Sequence, residues 1–257
     1  MISRNYFHIP YFRITIIIVE MNEHQIYEEE VNFILEQLHE HASVANIRGQ
    51  ERYGIRPGTN LGIPQPILRS LAKNVGINHA LALELWKSNI HEARHLATMI
   101  ADPMEVTEQL MERWVKDFNS WDIVDGCCSN LFRKTPFAFD KAITWCERKE
   151  EFVRRAGFSL MAFLAVHDKK AKDSRYEAFF PYIYKYSDDD RNMVKKAVNW
   201  ALRQIGKRNE RLCKKAIALA KKIRQLDDAS SKWIAADALR ELEKYLESGK
   251  IKSVGIK

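Results

Sequence analysis

"FVRRAGFSLMAFLA" (residues 152–165) and "MVKKAVNWALRQIG" (193–206) share one pattern: a polar or basic pair, then small residues, then apolar positions at helical spacing. "HEARHLATMI" (91–100) carries it upstream and "KWIAADALREL" (232–242) downstream. Trp121, Phe152, Met193 and Trp233 open successive units at intervals of 31, 41 and 40 residues. Periods of this length suit stacked helix pairs, none of which can bury its apolar face alone. The expected fold is therefore all-α, a right-handed α-α superhelix of repeated helix pairs. One helix of each pair is expected to line a concave, basic groove.

Composition agrees. The 257 residues are 46% apolar and 29% charged, with only 10 Gly and 7 Pro, which favours helices over turn-rich β architecture. Periodicity and breakers predict helices at 23–43, 65–75, 79–87, 91–101, 104–117, 120–132, 136–147, 150–166, 173–186, 190–206, 209–225 and 230–246, with a long loop from Asn46 to Pro66. Residues 21–246 read as one solenoid domain, 247–257 as a basic tail and 1–20 as a leader, poorly ordered or strand-like, with Met21 a candidate start. The apolar run "ITIIIV" (14–19) is far shorter than the ~20 residues a membrane helix needs. Cys127, Cys128, Cys146 and Cys213 have no disulfide or metal spacing, so reduced, buried thiols in a cytoplasmic protein are expected.

Between Asp190 and Arg224 twelve Lys and Arg face two acids, a local balance of +10 against +7 for the whole chain. Such a segment attracts polyanions, duplex nucleic acid above all. Lys195, Lys196, Arg203 and Lys207 flank Trp200 and are candidate contacts. The plainer reading is a set of solvated helix faces.

"SWDIVDGCC" (120–128) holds Trp121 and Asp125 at i, i+4, on one helix face. Asp122 reads as a carboxylate that bonds neighbouring repeats. His91, His95 and His167 show no metal pattern, and no metal or cofactor is expected.

Together with "RYGIRPGTNLGIPQPILRSLAK", "VRRAGFSLMA" and "VKKAVNWALRQIGKRN", this stretch makes the chain similar to the bacterial DNA alkylation-repair proteins of the AlkD type, from about Tyr53 to Leu246. The resemblance implies a HEAT-like repeat DNA glycosylase, monomeric and free of cofactors, that acts on double-stranded DNA containing alkylated bases. It assigns Trp121 and Trp200 to the lesion pocket, Asp125 to catalysis, Arg155 to phosphate binding, and Tyr53 and Arg203 to DNA contacts. Arg154 could substitute for Arg155. The chain departs from the family by several extra residues around "HDKKAKDSRYEAFF" (167–180).

Alkylation at N3 or N7 leaves a purine cationic and already a good leaving group, so no general acid is needed. A carboxylate that stabilises the sugar cation is enough. Indole faces would favour the charged base. The expected activity is base excision of such purines. The alternatives are a non-enzymatic solenoid that binds distorted or branched duplex, and a protein-interaction scaffold.

Overall fold

The computed structural model describes residues 23–55 and 58–248, and every regular element among them is a helix. In chain order these are α1 Glu23–Glu40, α2 Val44–Arg52, α3 Gln65–Val75, α4 His79–Lys87, α5 His91–Ile100, α6 Glu108–Lys116, α7 Trp121–Gly126, α8 Ala138–Cys146, α9 Glu151–His167, α10 Asp173–Glu177, α11 Phe180–Lys185, α12 Asn192–Gly206, α13 Glu210–Ile223 and α14 Ala229–Glu247. Helices α3, α5, α7, α9, α12 and α14 form a row, each packed on the next. Behind this row α4 packs on α5, α8 on α9, and α13 on both α12 and α14. The repeated sequence units are the members of the first row.

A continuous apolar core runs between the rows. Trp86 of α4 and Trp114 of α6 stack in parallel with ring centroids 4.0 Å apart, and Phe132 meets Trp145 of α8 edge-on at 5.7 Å. The α8–α9 crossing is close enough that a Cβ on Gly157 would lie 2.8 Å from the Ala142 carbonyl oxygen.

Polar bonds tie each repeat to the next. Trp86 Nε1 donates to Asp117, Trp145 Nε1 to Glu112, Arg154 to Asp189, Asn209 to Asp173 and Asn199 to Asp237, at sequence separations of 31, 33, 35, 36 and 38. These separations match the repeat period, as expected where each unit contacts only its neighbours.

Three expectations are corrected. Part of the expected 46–66 loop is helix α2, begun where the Ser43 side chain accepts the Asn46 N–H; this helix buries none of its residues and so shows no apolar stripe. The single helix expected at 173–186 is two short ones, α10 and α11, split just ahead of Pro181, whose ring cannot continue a helix across it. Helix α6 starts at Glu108, where Thr107 caps Leu110, instead of at 104. The leader 1–20 and the chain after Ser248 lie outside the described residues. Among the described residues no helix is long and apolar enough to cross a membrane, and all four cysteines are free and buried.

Candidate active site

Helix α7 begins at Trp121 behind an extended Ser120 and is only six residues long. It then widens into a π turn, Cys127–Leu131, and a 3-10 turn, Phe132–Lys134, whose Cys127, Cys128, Leu131 and Phe132 are buried. Such π turns frequently sit at functional sites. The first turns of α7 set Trp121 and Asp125 on one side.

Helix α9 faces them with its own i, i+4 pair, Arg155 and Ser159. One Arg155 nitrogen donates to Asp125 Oδ2 at 2.7 Å and another to the Met193 carbonyl at 2.8 Å. Ser159 Oγ donates to Asp125 Oδ1 at 2.9 Å. The guanidinium carbon lies 5.8 Å from the Trp121 ring centroid. Asp125 is not sealed in the core: its side chain keeps 21% of its surface at the edge of an open hollow of about 340 Å3. Tyr53, Trp121, Arg155, Met193, Lys196 and Trp200 line the rest. Burial pushes the Asp125 carboxyl above its usual pKa, and the charge and hydrogen bond of Arg155 with the hydroxyl of Ser159 oppose this without cancelling it.

Both indoles are fixed. Trp121 Nε1 donates to the Tyr53 carbonyl at 2.8 Å, and Trp200 meets Phe163 edge-on at 4.8 Å. Each stays partly exposed. Tyr53 itself is 72% exposed.

The structure thus brings Tyr53, Trp121, Asp125, Arg155, Lys196 and Trp200 together. Other candidate cations have protein partners. Arg154 pairs with Asp189 at 2.8 Å and lies over the Tyr186 ring, so of the two adjacent arginines it is Arg155 that reaches the hollow. Arg203 and Lys207 both pair with Glu241. Lys195 lies over the half-exposed Trp233 ring at 5.4 Å. Of the twelve cations between 190 and 224, Arg191, Arg203, Lys207, Arg211, Lys214, Lys215 and Lys221 are in ion pairs, most with acids outside that segment. Among the described residues Lys196 has no acid within ion-pair distance.

The family profile described as DNA alkylation repair enzyme matches residues 34–242. The chain belongs to this family. A solved structure from a new family of proteins related to the HEAT-like repeat DNA glycosylases, with affinity for branched DNA structures, is similar at 18% identity and a TM-score of 0.71, covering 86% of this chain and 95% of that one. This likeness gives the alkylation-repair chain its HEAT-like fold. An engineered protein (13% identity, 70% of this chain and 92% of that one, TM-score 0.37) and a designed armadillo repeat protein in complex with a (KR)4 peptide (14%, 82% and 86%, 0.36) share less. No curated protein matches the chain.

Two features went unread in the sequence, and a third was read as showing no metal pattern. Ser159 looked like one of the small residues of its repeat, yet its i, i+4 spacing from Arg155 mirrors that of Trp121 and Asp125. Glu92, buried on α5, accepts the Leu61, Gly62 and Ile63 N–H groups at 2.7, 2.8 and 3.2 Å and so holds the loop that follows Tyr53. His91 and His95 both donate to one oxygen of Asp122, at 2.8 and 3.0 Å, and the three could hold a metal ion. Their spacing, i and i+4 on one helix, was the signal.

Proposed function

We propose that this chain is a DNA glycosylase that hydrolyses the N-glycosidic bond of cationic N3- and N7-alkylpurines in double-stranded DNA. The observation that carries this reading is a half-buried carboxylate, Asp125, held by Arg155 and Ser159 at the edge of an open hollow that two indoles also line. As the C1′–N9 bond breaks, its electron pair leaves with the purine, which becomes neutral, and the sugar carries the positive charge. Asp125 stabilises that cation. Water then bonds to C1′ and loses its proton to Asp125 or to solvent.

The surroundings suit this task. Arg155 and Ser159 fix both carboxylate oxygens, so no reorganisation is needed when charge develops. Burial raises the energy of the anion, and a nearby sugar cation relieves it. The exposed faces of Trp121 and Trp200 attract a cationic base by about 1–2 kcal/mol over a neutral one. Lys196, at the edge of the hollow, is placed for a phosphate. The test is release of 7-methylguanine from modified duplex: wild type releases it, and Asp125→Asn binds the same DNA without releasing base. Full activity in the Asn variant overturns the mechanism.

A second reading, a non-enzymatic binder of branched or distorted duplex, draws on the double engagement of Asp125 by Arg155 and Ser159 and on the branched-DNA affinity of the similar structure. It expects salt-sensitive binding to four-way junctions and no base release.

A further inference from the structure

Residues His91-Glu92-Ala93-Arg94-His95 open α5 with two imidazoles at i, i+4, a spacing that presents two nitrogen ligands from one helix face. In the fold both Nε2 atoms converge on Oδ2 of Asp122, which arrives from α7, the next helix in the row. The rings stand at 76° with centroids 5.0 Å apart, and one ligand atom from each of the three residues lies within 4.8 Å of the others. Asp122 Oδ1 is buried and, among the described residues, has no hydrogen-bond partner. Here one oxygen takes both nitrogens and its twin is left idle.

We propose that His91, His95 and Asp122 form a binding site for one divalent cation of the zinc type. Two imidazoles and a carboxylate match the ligand preference of zinc and its first-row neighbours. With bonds of about 2.0–2.1 Å, tetrahedral ligand atoms stand about 3.3 Å apart, so the two nitrogens would retreat from Oδ2 by about 0.3–0.5 Å, while any pair of ligand atoms near the 4.8 Å limit would close toward that spacing. Three protein ligands leave a coordination position, and these residues line a second hollow of about 350 Å3 with Gln50, Ile63 and Trp121, open to an exchangeable water or anion. Gly126 leaves the His95 ring its place, since a Cβ there would lie 3.1 Å from Nδ1.

The middle acid of the motif is not a general base. Glu92 spends both oxygens on the Leu61–Ile63 backbone and on Gln50, which removes peptidase-like hydrolysis from consideration. The site holds an ion that locks α5 to α7 beside Trp121, which lines both hollows. It is separate from the carboxylate at 125, which is bound by α9.

Full-length protein stripped with a chelator and titrated with Zn2+ against a chromophoric indicator should take up one equivalent. Zn2+ should also raise the melting temperature of the wild type. His91→Gln and His95→Gln should each weaken uptake roughly 100-fold. Asp125→Asn should bind zinc as the wild type does, so this result stands apart from the fate of the glycosylase reading. No uptake by the wild type, or unchanged uptake in both His variants, overturns the proposal. Should those variants fail to fold, the Co2+ spectrum of the wild type decides: a nitrogen- and oxygen-ligated d–d spectrum supports the site, and a thiolate charge-transfer band places the ion on cysteine and refutes it.

Discussion

Asp122 and Asp125 stand three positions apart on α7 and turn to different neighbours. Asp122 meets two histidines of α5, and Asp125 meets an arginine and a serine of α9. Burial opposes ionisation of both. At Asp122 the hydrogen bonds and charges of His91 and His95 outweigh it and hold the carboxyl well below the usual range, whereas at Asp125 burial prevails. Identical side chains one turn apart are thus a secured anion and a strained one. A strained anion beside open space has the most to gain from a new positive charge, which is why the chemistry is assigned to 125 and the stapling to 122.

The sharpest way to break this contrast is to neutralise each aspartate in turn. Asp125→Asn should slow single-turnover base release by about 3–4 kcal/mol, on the order of 10²–10³-fold, while its DNA affinity stays within about twofold. Arg155→Ala should cost about 3 kcal/mol in urea unfolding, because it leaves a half-buried carboxylate with only Ser159 for support. Asp122→Asn should cost about 1–2 kcal/mol of stability and change base release only a few-fold. If Asp122→Asn proved the more damaging to release, the two roles would have to be exchanged.

The pH dependence sharpens the contrast further. On the proposed mechanism release needs Asp125 ionised, and its pKa is raised, so activity should fall with decreasing pH at values above the ordinary aspartate figure of about 3.9. Ser159→Ala removes a hydrogen bond to the ionised form, so the acid limb of kcat/KM should move upward by about one pH unit, the equivalent of roughly 1.4 kcal/mol. Smallest of all, Lys196→Ala should weaken DNA binding modestly and flatten its logarithmic salt slope by about 0.9.

Most helices were legible because their apolar stripes face the core: the repeat units at 91, 152, 193 and 232 are α5, α9, α12 and α14. Helix α2 was illegible for the converse reason, since it buries nothing. At the site, Trp121 and Asp125 could be paired from spacing alone, but their partners Arg155 and Ser159 lie 30 or more residues on, a distance only packing closes. The basic segment misled for a similar reason. Glu241, Asp173 and Glu177, which neutralise much of it, belong to other helices and enter no local charge count.

The bond from the Trp121 indole to the Tyr53 carbonyl spans 68 residues, far more than any repeat-to-repeat tie. An array built of neighbour contacts would ordinarily tolerate loss of its first units with little harm to the middle. Here a truncation that removes residues up to Gly62 would leave the later helices able to stack, yet the ring would lose its anchor and swing. The segment around Tyr53 therefore acts as a tuning peg for a surface assembled much further along.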